Sequence, residues 1–202
     1  EGGVDVQVTA EMVKELREKT NAGLMDCKKA LAATGGDIQK AIDHLRKSGL
    51  AIAAKKAGRT AAEGVIGAYI HHGDKIGVMV EVNCETDFVA RNSEFRDFVK
   101  LVTLQIASAA PAYLAPADVP KELIEREKDV LAAQVKDKPA NIVEKIVQGR
   151  IAKFYETCCL LEQPSVRPEH EGRKIKDLLT DLIAKLGENM VIRRFTRYQL
   201  GA

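Results

Sequence analysis

The chain has 202 residues, 46% of them hydrophobic and 30% charged, which reads as a soluble, globular protein able to bury a core as one domain plus a small appendage. Lys and Arg total 31 against 29 Asp and Glu, and the resulting net charge of +2 is too small for the electrostatic footprint of a direct nucleic-acid binder. No run approaches the ~20 apolar residues that span a bilayer, and the four cysteines (Cys27, Cys84, Cys158 and Cys159) show no CxxC spacing, so no membrane partner is expected and a reducing cytoplasm fits best.

The opening Glu1-Gly2-Gly3-Val4-Asp5 lacks the basic and apolar regions of a signal peptide and reads as a cleaved end or expression remnant. Thr9 can cap a first helix with Glu11 in its opening turn and Met12, Val13 and Leu16 on its apolar side. Asn21-Ala22-Gly23 breaks it. A second short helix is predicted from Asp26 to Ala33, ended by Gly35-Gly36. Asp37 caps a third, in which Ile38, Ala41, Ile42 and Leu45 recur at helical spacing, with Ser48-Gly49 as its end. These three helices make a bundle over residues 1–50. Residues 51–62, rich in Ala, Lys and Arg, read as a linker, and 63–202 as a separate α+β core.

That core opens with a hairpin: Val65 to His72, a turn at Gly73-Asp74, then Ile76 to Val82, where Ile76, Val78, Val80 and Val82 alternate with other residues at the period of a half-buried strand. Helices are predicted at about Asn92 to Ala109, Pro120 to Val135 and Pro139 to Phe154, both prolines sitting where a first turn tolerates a missing N–H. The clearest helix is Lys174 to Leu186, with Ile175, Leu178, Leu179, Leu182, Ile183 and Leu186 on one stripe and Gly187 as terminator. Met190 to Leu200 reads as a last strand, its alternation disturbed by Arg193, Arg194 and Arg197. The fold class is therefore α+β: a three-helix bundle of the ubiquitin-associated type, then a core around a three-stranded antiparallel sheet to which the final strand returns. One sheet face or edge is left for a second copy.

Between the second strand and the next helix lies Asn83-Cys84-Glu85-Thr86-Asp87-Phe88-Val89-Ala90-Arg91-Asn92, with Asn92 or Ser93 as the helix cap. Asp87 and Phe88 belong to neither regular element. An aromatic at a rigid corner suits an interface anchor; on residue type alone, the commoner outcome is that Phe88 folds back and closes the core. Gly23-Leu24-Met25, read as the loop between the first two helices, is equally open between docking on a partner helix and packing on Ile42 and Leu45. Lys55, Lys56 and Arg59 read as a solvated tether. No GxxxxGK[ST] phosphate loop, GxSxG, HExxH or CxxC occurs, so no nucleotide site, catalytic residue, metal ligand or cofactor is expected. His71-His72 and Cys158-Cys159 are adjacent pairs, which on a strand point to opposite faces and chelate poorly.

The string NCETDFVARN resembles the signature of the elongation factor Ts family, the guanine-nucleotide exchange partners of elongation factor Tu. Three more segments agree in order: VKELREKTNAGLMDCKKAL, Ala53-Ala54-Lys55-Lys56-Ala57-Gly58, and Leu186-Gly187-Glu188-Asn189-Met190-Val191-Ile192-Arg193-Arg194-Phe195. The resemblance covers roughly Thr9 to Ala202. It implies a non-hydrolytic exchange factor whose motif Thr86, Asp87, Phe88 and Val89 meets the G domain of elongation factor Tu, Phe88 inserting between helices and disturbing the Mg2+ surroundings while Asp87 accepts hydrogen bonds. It also implies that Lys14, Arg17, Leu24 and Met25 pack on a G-domain helix; Leu24 departs mildly from the Met-Met pair frequent there.

Longer family members carry two related core halves and a coiled-coil insertion, whereas here the hairpin and TDFV motif occur once. The resemblance therefore implies a homodimer through the sheet, one subunit offering Asp87 and Phe88 and the other its hairpin, around His71, His72, Gly73 and Lys75, to the partner's third domain. Some short members use an intersubunit disulfide in the last strand; this chain has Thr196 there and no cysteine beyond Cys159. Two other functions compete: an adaptor binding helices through the bundle, which gives no reason for NCETDFVARN, and a zinc hydrolase using His71, His72, Cys158 and Glu85, which requires bound metal.

Overall fold

A computed structural model describes residues 8–20, 22–135 and 139–201. The opening segment and Asn21 of the predicted helix break lie outside the described residues. Three helices come first: α1 (Ala10–Thr20), α2 (Leu24–Ala33) and α3 (Ile38–Lys56). Thr9 Oγ1 accepts the Met12 N–H at 3.3 Å, and the Asp37 carboxylate accepts the Lys40 N–H at 2.9 Å, so both polar residues satisfy helix-end donors as expected. Between α2 and α3, Gly35 and Gly36 adopt φ of 62° and 80°, a left-handed pair that lets the Gly36 N–H reach Leu31 O at 2.9 Å. Val13, Leu16, Cys27, Ala30, Leu31 and Ala41 form the bundle's own core, edged by Met12, Ile38, Ile42 and Leu45.

The third helix does not stop at Ser48-Gly49. It continues through the Ala- and Lys-rich segment to Lys56, because Gly49 is a close-packing position rather than a terminator: it is buried, and a Cβ there would lie 3.7 Å from Ala184 Cβ. Ala53 packs on the main core, and the Lys56 ammonium donates to Gly187 O. The far half of α3 is thus docked on the core, and its good helix formers gain tertiary support that composition alone does not reveal.

The sheet has the order β1-β2-β3, with β1 (Glu63–Ile70), β2 (Ile76–Cys84) and β3 (Val191–Gln199) all antiparallel. The hairpin turn holds Gly73 and Asp74 at positive φ, in agreement with the predicted Gly-Asp turn. The irregular alternation of the last strand is a bulge: Ile192 pairs with Val82 and Arg194 with Glu81, which leaves Arg193 as the extra residue. Both arginines then reach the Glu81 carboxylate, at 3.6 and 2.7 Å.

On the inner sheet face, Val78, Val80, Val82 and Ile192 are buried against α5 (Ser93–Ala109) and α8 (Ile175–Leu186). From α5 come Phe95, Phe98, Val99, Val102 and Ile106; from α8, Ile175, Leu182 and Ile183. Gly67 leaves room for α5, since a Cβ there would stand 2.5 Å from Val99 Cγ1. The outer face is uncovered in the single chain, with Ile66, Ile70, Met79 and Tyr198 exposed. Helices α6 (Lys121–Ala133) and α7 (Ala140–Cys158) lie between α5 and α8 along the chain; α7 runs four residues past the predicted end at Phe154. Val119, Ile124 and Cys159, with Tyr113, Phe154 and Tyr155 around them, form the small cluster at their base. Among the described residues no helix is long and apolar enough to cross a membrane.

Candidate partner-binding site

Where β2 ends, the chain makes two caps in quick succession. Thr86 is extended (φ −128°, ψ 153°) and its Oγ1 accepts the Val89 N–H at 3.3 Å; Asn92 Oδ1 accepts the Glu94 and Phe95 N–H groups at 2.8 and 3.4 Å and starts α5. Between the caps the chain closes one helical turn, α4 (Asp87–Ala90). Asp87 and Phe88, read from sequence as irregular, therefore stand on a regular turn whose acidic first residue faces the positive helix end. Val89 and Ala90 are buried in the core beneath it. Val89, grouped from sequence with the partner-facing residues, is thus the turn's anchor, while Thr86, Asp87 and Phe88 are exposed.

Phe88 is 80% exposed, so it does not close the core. Helical backbone on one side and two buried neighbours on the other fix its Cα, leaving only its ring torsions free. The Asp87 carboxylate pairs with Arg91 at 2.8 Å with both side chains largely exposed, an ion pair weak enough to open when a better donor arrives. Beneath the turn, Cys84 Sγ donates to Thr86 O at 3.1 Å, and burial pushes its thiol pKa up to about 11, so it packs as an inert small hydrophobe.

A second segment holds the turn from the side. Gly187 ends α8 at φ 75°, and the next residues cross to the motif. Glu188 Oε2 accepts the N–H groups of Glu85 and Thr86, each at 3.1 Å, and its Oε1 accepts the Thr86 hydroxyl at 2.6 Å. Asn189 donates its N–H to Glu85 Oε1 at 2.6 Å and its side-chain amide to Arg59 O at 2.7 Å, and Arg59 pairs with Glu85 at 2.7 Å. In the sequence Glu188 and Asn189 stand out only within the string that resembles the family, and Arg59 reads as part of a solvated tether. No local pattern signals bonds between residues a hundred positions apart.

The other predicted contact residues sit elsewhere. Lys14 and Arg17 are exposed on α1. Leu24 and Met25 form the first turn of α2 rather than a loop; at 57% and 59% exposed they lie outside the bundle core, and most of each side chain faces solvent rather than Ile42 and Leu45. His71, His72 and Gly73 are exposed at the hairpin turn, with Tyr69 Oη and His71 Nδ1 2.9 Å apart. That turn and Phe88 lie beyond opposite ends of the nine-residue β2, a strand roughly 27 Å long at ~3.4 Å per residue. The structure brings the motif and the 187–190 segment together, but the hairpin turn stands apart from both. Cys158 and Cys159 end α7, and burial pushes Cys159 up to about 12. Among the described residues no group of three or more His, Cys, Asp or Glu is placed to hold a metal ion.

Comparison of the sequence with known proteins gives the family to which this site belongs. The family description Elongation factor TS matches residues 6–172. Elongation factor Ts of Caldanaerobacter subterraneus subsp. tengcongensis is 59% identical over 197 residues, covering 96% of this chain and 97% of that protein. The proteins of the same name from Carboxydothermus hydrogenoformans and Thermodesulfovibrio yellowstonii are each 57% identical over 196 residues and 96% of this chain, covering 89% and 96% of their own lengths. Identity at this level along almost the whole length of the chain and of these relatives shows that the chain belongs to the elongation factor Ts family.

Proposed function

We propose that the protein is a guanine-nucleotide exchange factor for elongation factor Tu, acting in the cytoplasm during translation elongation without hydrolytic activity of its own. The observation that carries this reading is Phe88: a large aromatic, 80% exposed, on a turn fixed by a cap and two buried neighbours. Exposing such a ring to water has no benefit to folding, whereas prior ordering of its backbone lowers the entropy lost on docking. Inserted near the Mg2+ and phosphate site of the G domain, the ring favours the partner conformation that holds GDP poorly. Burying it supplies ~2 to 3 kcal/mol, about two decades of acceleration. Asp87 adds to this by exchanging Arg91 for donors of the partner, and Lys14, Arg17, Leu24 and Met25 anchor the bundle on the same domain.

Exchange by differential binding has a thermodynamic signature. If this protein weakens GDP on elongation factor Tu by some factor, GDP weakens this protein by the same factor. Titration calorimetry should therefore give tighter binding to nucleotide-free than to GDP-loaded elongation factor Tu, and the ratio should equal the loss of GDP affinity in the complex. Equal affinity for the two forms would remove the mechanism.

A homodimer through the outer sheet face completes the proposal. Ile70 and Tyr198, 62% and 70% exposed, flank Gly77 in one row, and Ile66 and Met79 extend the apolar surface along the strands. Twofold pairing buries such a face on itself. Because the hairpin turn and Phe88 stand at opposite ends of β2, two copies present a turn of one subunit and a motif of the other to a single partner, His71, His72 and Gly73 meeting its third domain. A stable interface of ordinary size buries on the order of 1,600 Å². Light scattering at micromolar concentration with thiol present should give the mass of two chains, since the free cysteines, Cys27, Cys84, Cys158 and Cys159, all precede β3. A one-chain mass would sink the dimer.

A further inference from the structure

We propose that Glu188 is a positioning residue for the exchange motif: its carboxylate, delivered from the α8–β3 turn, sets the orientation from which Phe88 leaves the core. The inference rests on the exchange reading above and adds to it a residue outside the Thr86–Val89 motif, half-buried behind it.

The geometry is unusual for a side chain that serves only to tie down a loop. One carboxylate takes two consecutive backbone N–H groups, of Glu85 and Thr86, and the Thr86 hydroxyl as well. The hydroxyl has a single proton. Donating it to Glu188 turns an oxygen lone pair towards the Val89 N–H, which is the cap that closes α4. Glu188 thereby acts on the first turn through a relay, carboxylate to hydroxyl to helix N–H, and it also fixes the extended backbone that precedes it. Its own place is determined by the next residue: the Asn189 N–H is held by Glu85 Oε1, and its buried amide is held by the carbonyls of Ala57 and Arg59. A rigid post therefore braces the N-terminal side of α4, where the buried side chains of Val89 and Ala90 do not reach. Without the carboxylate, two N–H groups lose their acceptor, the Thr86 hydroxyl rotates freely, and the exposed turn samples orientations in which Phe88 points away from the partner.

Such a residue affects the release step more than the affinity, since the bundle residues Leu24 and Met25 and the hairpin are untouched. With saturating protein, Glu188→Ala should slow release of labelled GDP from elongation factor Tu at least tenfold while changing affinity for nucleotide-free elongation factor Tu less than threefold. Glu188→Gln, which keeps the volume and half of the acceptor capacity, should fall between and serves as the decisive variant if the alanine protein does not fold. Thr86→Val should slow release and Thr86→Ser should restore it, and Thr86→Val in the Glu188→Ala background should add little, because both remove the same relay. In the free, full-length protein, amide hydrogen exchange at Thr86 and Val89 should accelerate at least tenfold in either Glu188 variant, with the β2 amides of Val78 and Val80 unchanged. Amide protection at Thr86 and Val89 equal to wild type would overturn the positioning role whatever the protein does to GDP. Wild-type release rates in the Glu188 variants, beside an active wild type, would overturn it alone; a wild type that leaves GDP release unchanged would overturn the exchange reading and this role together.

Discussion

Phe88→Ala slows maximal GDP release from elongation factor Tu by one to three decades and leaves the fold intact. The magnitude follows from ~1.4 to 4 kcal/mol for truncating an aromatic anchor at an interface centre. The indifference of the fold follows from exposure: at 80% exposed the ring contributes almost nothing to the core, and the turn beneath it is held by Thr86, Val89 and Ala90. Stopped-flow release at saturating protein measures the first expectation and thermal unfolding the second. A variant that unfolds easily yet exchanges normally per folded molecule would return Phe88 to the core and sink the reading.

Replacing Leu24 and Met25 together by alanine produces the complementary phenotype. Both are largely exposed in the first turn of α2 and absent from the bundle core, and alanine is the best helix former, so stability should change by less than ~0.5 kcal/mol. If they anchor the bundle on the G domain, the pair is worth ~1.4 to 2.8 kcal/mol, and affinity for nucleotide-free elongation factor Tu falls 10- to 100-fold. The release rate at saturation stays near wild type, because the motif at the end of β2 is untouched. Unchanged affinity in a binding titration would remove the bundle from the interface. The two phenotypes, rate without affinity and affinity without rate, separate the two arms of the molecule.

What the sequence reveals and what it hides divides by range. Caps at Thr9 and Asp37, the alternation of β2, the α8 stripe and the Gly-Asp hairpin turn are local and legible in the sequence, since a side chain and its backbone partner lie within a few residues; of the two cap candidates Asn92 and Ser93, the structure uses Asn92. Gly49 misled because glycine marks both helix ends and close approaches, and only the distant Ala184 decides between them. The one-turn α4 escaped because its apolar residues are too few to show a helical period, although Thr86 three residues before Val89 is a cap signal that could have located it. The disordered alternation of β3 is a bulge that pairs Arg193 and Arg194 with one glutamate, visible only once the register is known.

Burial of polar groups is the least legible part. Gln105, fully buried in α5, donates to Gln163 and Pro164 and accepts the Val166 N–H at 2.8 Å, pinning the 163–166 segment to the helix; in the sequence it is one of several polar residues on that helix, and nothing local marks it as buried. The brace of Glu188 and Asn189 belongs to the same class. For the candidate site, this means that the exposed residues Asp87 and Phe88 were located by the string that contains them, while the side chains that orient them were not.

The central claim is that this protein loosens GDP on elongation factor Tu catalytically, and release of a fluorescent GDP analogue tests it most directly. With excess unlabelled GDP present, substoichiometric wild-type protein should accelerate release by decades, each molecule serving many partners, and Phe88→Ala should abolish most of the acceleration. A release rate at micromolar protein equal to the spontaneous rate would contradict the account.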